Sequence, residues 1–243
     1  MTYHWDWLIF WQPSPDGAGT YLDMLLSGLW VTVLTAILSW VLAILAGTLV
    51  GVARSFPGGL IGFVATAYVE VFRNVPLLVQ LFLWYFVLPE LLPSSWGLWI
   101  KQLPGSSFYT AIVGLGFYTS ARIAEQVRAG IGSLPRGQRM ASTALGLTVA
   151  QTYRHVLLPM AFRIIWPPLT SEFLACIKNT SVALTIGLLE MTARTRAMAE
   201  FSFQVFEAFT AATLLYLGIN IVVAFGMRIA ERRLEVPGYS AEH

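Results

Sequence analysis

Charge is scarce in this chain: Asp, Glu, Lys and Arg make up 12% of its 243 residues, against 56% hydrophobic residues and a mean hydropathy of +0.66. A soluble domain carries about 25% charged residues, so the balance points to an integral membrane protein. Lysine is scarcest. Lys101 and Lys178 are the only two and each follows an isoleucine, so no phosphate loop of the form GxxxxGK[ST] is present and the chain is not itself a P-loop ATPase. The single cysteine, Cys176, excludes an intramolecular disulfide and reads as a small buried hydrophobe. His4, His155 and His243 are scattered, with no HExxH and no cysteine pair, which argues against a metal hydrolase; no metal site is expected. No Lys or Arg precedes Arg54, and the first apolar run is too long for a signal-peptide core, so the N-terminus is expected to be retained. A net charge of +2 gives no reason to expect a nucleic-acid partner.

Long apolar runs are abundant. Met24 to Ala53 is thirty residues without a charge, more than the roughly 20 a helix needs to cross a bilayer. Hydropathy gives five candidate spans, Met24–Ala53, Leu60–Leu91, Phe108–Ala129, Phe162–Leu189 and Phe206–Ile229. The second carries Glu70, Arg73, Asn74 and Pro76 partway along and fits one bent helix or two shorter ones; the bent span is the expectation. Positive charge sets the orientation. With the N-terminus outside, Arg54, Arg128, Arg136, Arg139, Arg154, Arg163, Arg228, Arg232 and Arg233 lie inside, and Lys101, Arg194 and Arg196 outside. The aromatic cluster Trp5, Trp7, Phe10, Trp11 and Tyr21, and Trp96 with Trp99, then lie at the outer interface as anchors in lipid.

One stretch is polar and broken by glycine, "RMASTALGLTVAQTYRHVLLP", residues 139–159, in the cytoplasmic loop between the third and fourth spans. Pro135 suits a helix start and Gly146 a left-handed helix end. Thr148 with Gln151 fits a capping box that opens a second helix, and Pro159 is expected to close it. Ala141, Ala144 and Leu145 form a small apolar face beside Arg139 and Arg154, suited to a groove on another protein or to the inner membrane surface. At membrane depth the chain holds Glu70, Arg73, Arg122, Glu125, Glu172 and Lys178, and buried charge there is costly enough to mark function.

These residues carry a family likeness. Gly146, Val156, Leu158 and Pro159 have the spacing of the EAA loop of ABC importer permeases, EAA-x3-G-x9-I-x-LP, with Ala141 and Ser142 in the alanine places and Met140 in place of the glutamate. "EVFRNVPLLVQ" at 70–80, "IKNTS" at 177–181, "LFLWYFVLPELLP", "ARIAEQVRAGIGSLPRGQ" and "PPLTSEFL" resemble the polar amino acid branch, and over nearly its whole length the chain is similar to a glutamate/aspartate import permease subunit.

The resemblance implies an all-α integral membrane protein of the type I ABC importer permease fold. Its five transmembrane helices would form a single permease domain over 1–243, with a periplasmic or interfacial segment at 1–22 and a cytoplasmic coupling helix in 133–160. It implies a bacterial inner-membrane subunit with a periplasmic N-terminus and cytoplasmic C-terminus. Its partners would be a second permease chain, two ATPase subunits holding the ATP and Mg, and a periplasmic amino-acid-binding protein. Met140 in the glutamate's place suits a heterodimer in which a related chain supplies that carboxylate. Met140, Ala141, Ser142, Leu145, Gly146, Val156, Leu158 and Pro159 would form the ATPase-coupling element. For an acidic substrate Arg122 is the leading contact, because a guanidinium matches a carboxylate with two hydrogen bonds; the alternative is that it pairs with Glu125 or Glu172. Glu125, Lys178, Asn179, Thr180 and Ser181 complete the candidate lining, and Glu70 and Arg73 are placed to pair across a helix turn. Other polar amino acids, glutamine or basic ones, are the alternative cargo. An ion-coupled secondary transporter is disfavoured by the lack of an internal repeat. A channel or scaffold would leave the coupling loop unexplained.

Overall fold

The computed structural model describes residues 3–17, 19–56 and 59–234. Residues 1, 2 and 18 of the expected outer segment, and the tail 235–243 with His243, lie outside the described residues. All regular structure among the described residues is helical, apart from an isolated bridge between Pro13 and Thr20. A 3-10 turn at Trp7–Trp11 precedes α1 (Tyr21–Ser55), α2 (Leu60–Asn74), α3 (Leu77–Leu91), α4 (Ser94–Gln102) and α5 (Ser106–Gly132). There follow α6 (Arg136–Ala144), α7 (Val149–Ile186), α8 (Met191–Ser202) and α9 (Val205–Leu234).

By length and composition α1 and α9 each suffice to cross a membrane, and α2 with α3, and α7 with α8, suffice as broken pairs. Hydropathy predicts five spans, and the difference is α5. At 27 residues it reaches about 40 Å, yet it carries Arg122, Glu125 and Arg128 and does not qualify on apolar content. Large apolar side chains face outward along the others, as at Leu49 (73% exposed) and Val222 (70% exposed), which is what a hydrocarbon solvent rewards.

Prolines decide where helices break. The expected single bend in Leu60–Leu91 is a break: Val75, at φ −89° and ψ 128°, is extended because the following Pro76 ring excludes the helical conformation. Asn74 closes α2, its Nδ2 donating to the Glu70 carbonyl at 2.8 Å and to Glu70 Oε2 at 3.1 Å. Pro159 does not close a helix, contrary to expectation; α7 runs through it. A π-turn at Tyr153–Leu157 precedes it, in which the Leu158 N–H bonds the Tyr153 carbonyl, and this wider register absorbs the donor that proline lacks. The same device stands before Pro89, where Leu83–Val87 is a π-turn and the Leu88 N–H bonds the Leu83 carbonyl.

The described residues pack as two units, one holding the N-terminal residues through Trp40, Pro76–Gly116 and Ala175–Val222, the other Val41–Val75, Phe117–Leu174 and the chain from Val223 on. The first is centred on Met24, Leu25, Met198 and Ala208. In the second, α1 lies close against α5 through Gly47 and Gly51. A Cβ on Gly51 would meet the Ala124 carbonyl at 2.7 Å, and one on Gly47 the Ile123 side chain at 2.8 Å. Small residues four apart allow this approach, which in lipid is favoured by packing alone.

Candidate functional site

Close packing of α1 on α5 brings Arg54, at the end of an otherwise uncharged run, onto Glu125. Glu125 also accepts from Arg128, whose Nε lies at 3.1 Å, and has Arg73 of α2 at 3.9 Å. The pairing of Glu125 with Arg122 that the sequence leaves open is therefore not the one found: Glu125 is taken by Arg54 and Arg128. Nor does Arg73 pair with Glu70, which holds Asn74 instead.

Arg122 stands one face away. Its Nη2 donates to the Tyr118 hydroxyl at 2.9 Å, its guanidinium lies 5.1 Å from the Tyr118 ring centre, and its nearest carboxylate is Glu172 of α7 at 3.9 Å. Glu172 also receives Gln126 Nε2 at 3.4 Å. Arg73, Arg122, Glu125, Gln126 and Glu172 line one polar cleft of about 310 Å³ in the second unit. In the same unit Tyr68, Phe72 and Phe117 form a cluster of tilted and edge-on rings, and the Tyr68 hydroxyl is hydrogen-bonded to Ser120. With Glu125 neutralised by Arg54 and Arg128, the cleft presents two cations, Arg73 and Arg122, and one anion, Glu172. Of the candidate lining residues read from sequence, Arg122 and Glu125 lie here; Arg73, Gln126 and Glu172 line the same cleft and are not among them. The signal available for Arg73 and Glu172 is their charge at membrane depth, while the meeting of Arg54 with Glu125 has none near it in sequence.

Lys178, Asn179, Thr180 and Ser181 belong to the first unit, where α7 tightens into a 3-10 turn over Thr180–Ile186. Thr180 is buried and donates to the Ile177 carbonyl at 2.7 Å, Ser181 donates to the Lys178 carbonyl at 2.7 Å, and the Lys178 side chain is exposed. In the same unit Glu190, fully buried, caps α8 by accepting from the Ala193 N–H at 2.7 Å and the Thr192 N–H at 2.9 Å, and takes the Tyr216 hydroxyl at 3.0 Å. Glu207, also buried, receives the Tyr3 hydroxyl and the Asp6 N–H. Neither glutamate stands out in the sequence.

The helix–Gly–helix element forms as its residues dictate. Gly146, at φ +76°, ends α6 with its N–H on the Thr143 carbonyl and the Leu147 N–H on the Ser142 carbonyl, a Schellman pair. Thr148 and Gln151 make the reciprocal capping box. Met140 (68% exposed), Ala141, Ala144, Leu145 (81% exposed) and Val149 project outward. Ser142 is buried, its hydroxyl on the Arg139 carbonyl at 2.8 Å. Val156 packs inward onto Leu134, Tyr153 and Leu157, so it anchors the element; Leu158 is half-buried, and Pro159 is exposed.

Residues 41–236 match the family model described as "Binding-protein-dependent transport system inner membrane component". The glutamate/aspartate import permease protein GltJ of Escherichia coli K12 is 46% identical over 98% of both chains. The glutamine transport system permease protein GlnP of the same organism is 32% identical, over 95% of this chain and 98% of the relative. Among solved structures, an amino acid ABC transporter crystallised with histidines superposes with a TM-score of 0.74 at 29% identity, over 88% of this chain and 95% of that one.

Proposed function

The chain belongs to the family of binding-protein-dependent transport system inner membrane components, and from that premise we propose that it is one permease half of an ATP-driven importer of acidic amino acids. The observation that carries the substrate class is its likeness, end to end, to a glutamate/aspartate import permease. The cleft charges agree with it. An acidic amino acid brings two carboxylates and one ammonium; Arg73 and Arg122 match the first two, and Glu172 the third. Arg122 holds Glu172 only at 3.9 Å, so a substrate carboxylate entering between them replaces a loose pair and leaves no buried charge without a partner.

In this reading α1, α2 with α3, α5, α7 with α8, and α9 make the five spans, with the N-terminus periplasmic. The charge distribution supports that orientation. Lys101, Arg194 and Arg196 each have a carboxylate partner, in Glu90, Asp16 and Glu200, whereas Arg136, Arg139, Arg154, Arg163, Arg228, Arg232 and Arg233 have none among the described residues and stay available to an anionic inner leaflet or to partner proteins. The exposed face of Met140, Ala141, Leu145 and Val149 seats in a groove of a separate ATPase subunit, and a second, related permease chain completes the pathway. ATP binding closes the ATPase pair, and the coupling element carries that motion into α5 and α7. The cleft then opens outward to a periplasmic binding protein. Transport is thus a two-state equilibrium that nucleotide and substrate bias from separate sites.

Uptake by the assembled complex tests the site assignment. Arg122→Ala lowers the apparent affinity of acidic amino acid uptake about 10- to 100-fold with the complex intact; unchanged uptake would remove Arg122 from the substrate site.

A further inference from the structure

A second cleft, of about 290 Å³ and lined by four arginines, lies in the second unit. Arg54 closes α1, Arg128 lies on α5, and Arg136 and Arg139 occupy the first turns of α6, with Ser55 and Tyr153 between them. One carboxylate serves this group, Glu125, and it is engaged by Arg54 and Arg128. Arg136 and Arg139 have no carboxylate partner among the described residues, and the Arg54 Nε is buried without a hydrogen-bond partner. Helix α6 starts at Pro135 with no side-chain cap, so its free N–H groups and positive dipole end add to the same field. The cleft is built for an anion with several oxygens.

Next to it runs an apolar groove of about 310 Å³, formed by Leu49, Val52, Ala53, Phe56, Leu60 and Ile61. Leu60 is 77% exposed and Ile61 72%. The two cavities adjoin where Phe56 of the groove meets Tyr153 of the arginine cleft, ring centres 4.7 Å apart, and where Val52 of the groove packs on Leu134, Tyr153 and Leu157 of the cleft. A free phosphate would use only the arginines. A phosphodiester joined to an acyl chain uses both, and the groove would otherwise expose a run of large apolar groups beside four guanidinium groups.

We propose that this pair of cavities binds one anionic phospholipid, its phosphate held by Arg136 and Arg139 with Arg54 and its acyl chain laid along Leu49, Phe56 and Leu60. The lipid would fasten the start of α6 to the end of α1, and so set how firmly the loop that meets the ATPase is held to the membrane part. This goes beyond the transport reading and takes from it only that the loop faces the inner leaflet.

The test uses the whole purified importer in mixed micelles of phosphatidylglycerol and phosphatidylcholine, which present both lipids to every face, with retained lipid counted by mass spectrometry. The unaltered complex retains phosphatidylglycerol preferentially. Arg136→Gln with Arg139→Gln lowers that preference about 30-fold, the weight of two basic residues at an anionic surface. Leu49→Ser with Leu60→Ser lowers retention while keeping the arginines, and millimolar inorganic phosphate fails to displace the lipid. Equal retention with and without the two arginines overturns the proposal. So does complete displacement by phosphate with the groove variant unchanged, which makes this a free-anion site. Loss of the ATPase subunit from the arginine variant also overturns it, by making those arginines a protein contact. Because lipid is counted and not uptake, this failure is distinct from failure of the transport reading.

Discussion

The Arg122 guanidinium stops 3.9 Å short of the Glu172 carboxylate and gives its closest hydrogen bond, at 2.9 Å, to a neutral hydroxyl, that of Tyr118. An arginine satisfied this weakly, and 44% exposed at its side chain, is placed to exchange a partner, whereas Arg54 and Arg128 are held directly on Glu125.

The first prediction follows from that contrast. Arg122→Ala removes a charge-assisted contact worth about 1.5–3 kcal/mol, so apparent substrate affinity falls about 10- to 100-fold. Arg122→Lys keeps the charge without the fork and recovers part of it. Arg73→Ala weakens uptake of acids and leaves a neutral amino acid such as glutamine less affected. Radiolabelled uptake in vesicles measures all three.

At the turn between α6 and α7, Gly146→Val forces a β-branched residue to φ +76°, at a cost of about 1–3 kcal/mol. Nothing lies within 4 Å of the added Cβ, so backbone conformation alone is tested. Basal ATP hydrolysis persists and its stimulation by loaded binding protein is lost, read as phosphate release in liposomes.

Where α1 meets α5, Gly51→Leu pushes a side chain into the Ala124 carbonyl and Val127. Overpacking of this kind costs about 1–3 kcal/mol, and here it also separates Arg54 from Glu125. Thermal unfolding of the detergent-solubilised complex moves down in temperature. Gly226→Leu on α9, where a Cβ meets nothing within 4 Å, has little effect.

Glu190→Ala leaves the N–H groups of Thr192 and Ala193 without their acceptor and leaves the Tyr216 hydroxyl to Thr192 Oγ1. Loss of a cap costs about 1 kcal/mol, and burial of the orphaned groups adds to it. Tyr216→Phe removes one of these bonds and is the milder change; the two variants are ranked by the same thermal measurement.

Much of this was legible in the chain because the patterns are local. The Gly146 turn and the Thr148–Gln151 box involve residues three or four apart, and both form as read. The α1 run announces itself by thirty uncharged residues. What stayed hidden depends on distant segments. Nothing near Arg54 in sequence indicates Glu125, and the meeting requires Gly47 and Gly51 to admit α5. In sequence Arg73 is placed to pair with Glu70 three residues away, but Pro76 ends α2 and leaves Glu70 to Asn74. Pro159 reads as a stop because a proline's effect is judged against an α-helical register, and the π-turn at Tyr153–Leu157 changes that register. Glu190 is an ordinary polar residue in sequence and becomes special only when α9 brings Tyr216 to it.

The measurement closest to the central claim is ATP hydrolysis by the complex in liposomes with its binding protein, titrated with glutamate, aspartate, glutamine and arginine. Selective stimulation by glutamate and aspartate, lost on Arg122→Ala, is the predicted result; equal stimulation by glutamine or arginine would contradict the acidic substrate assigned to the Arg73, Arg122 and Glu172 cleft.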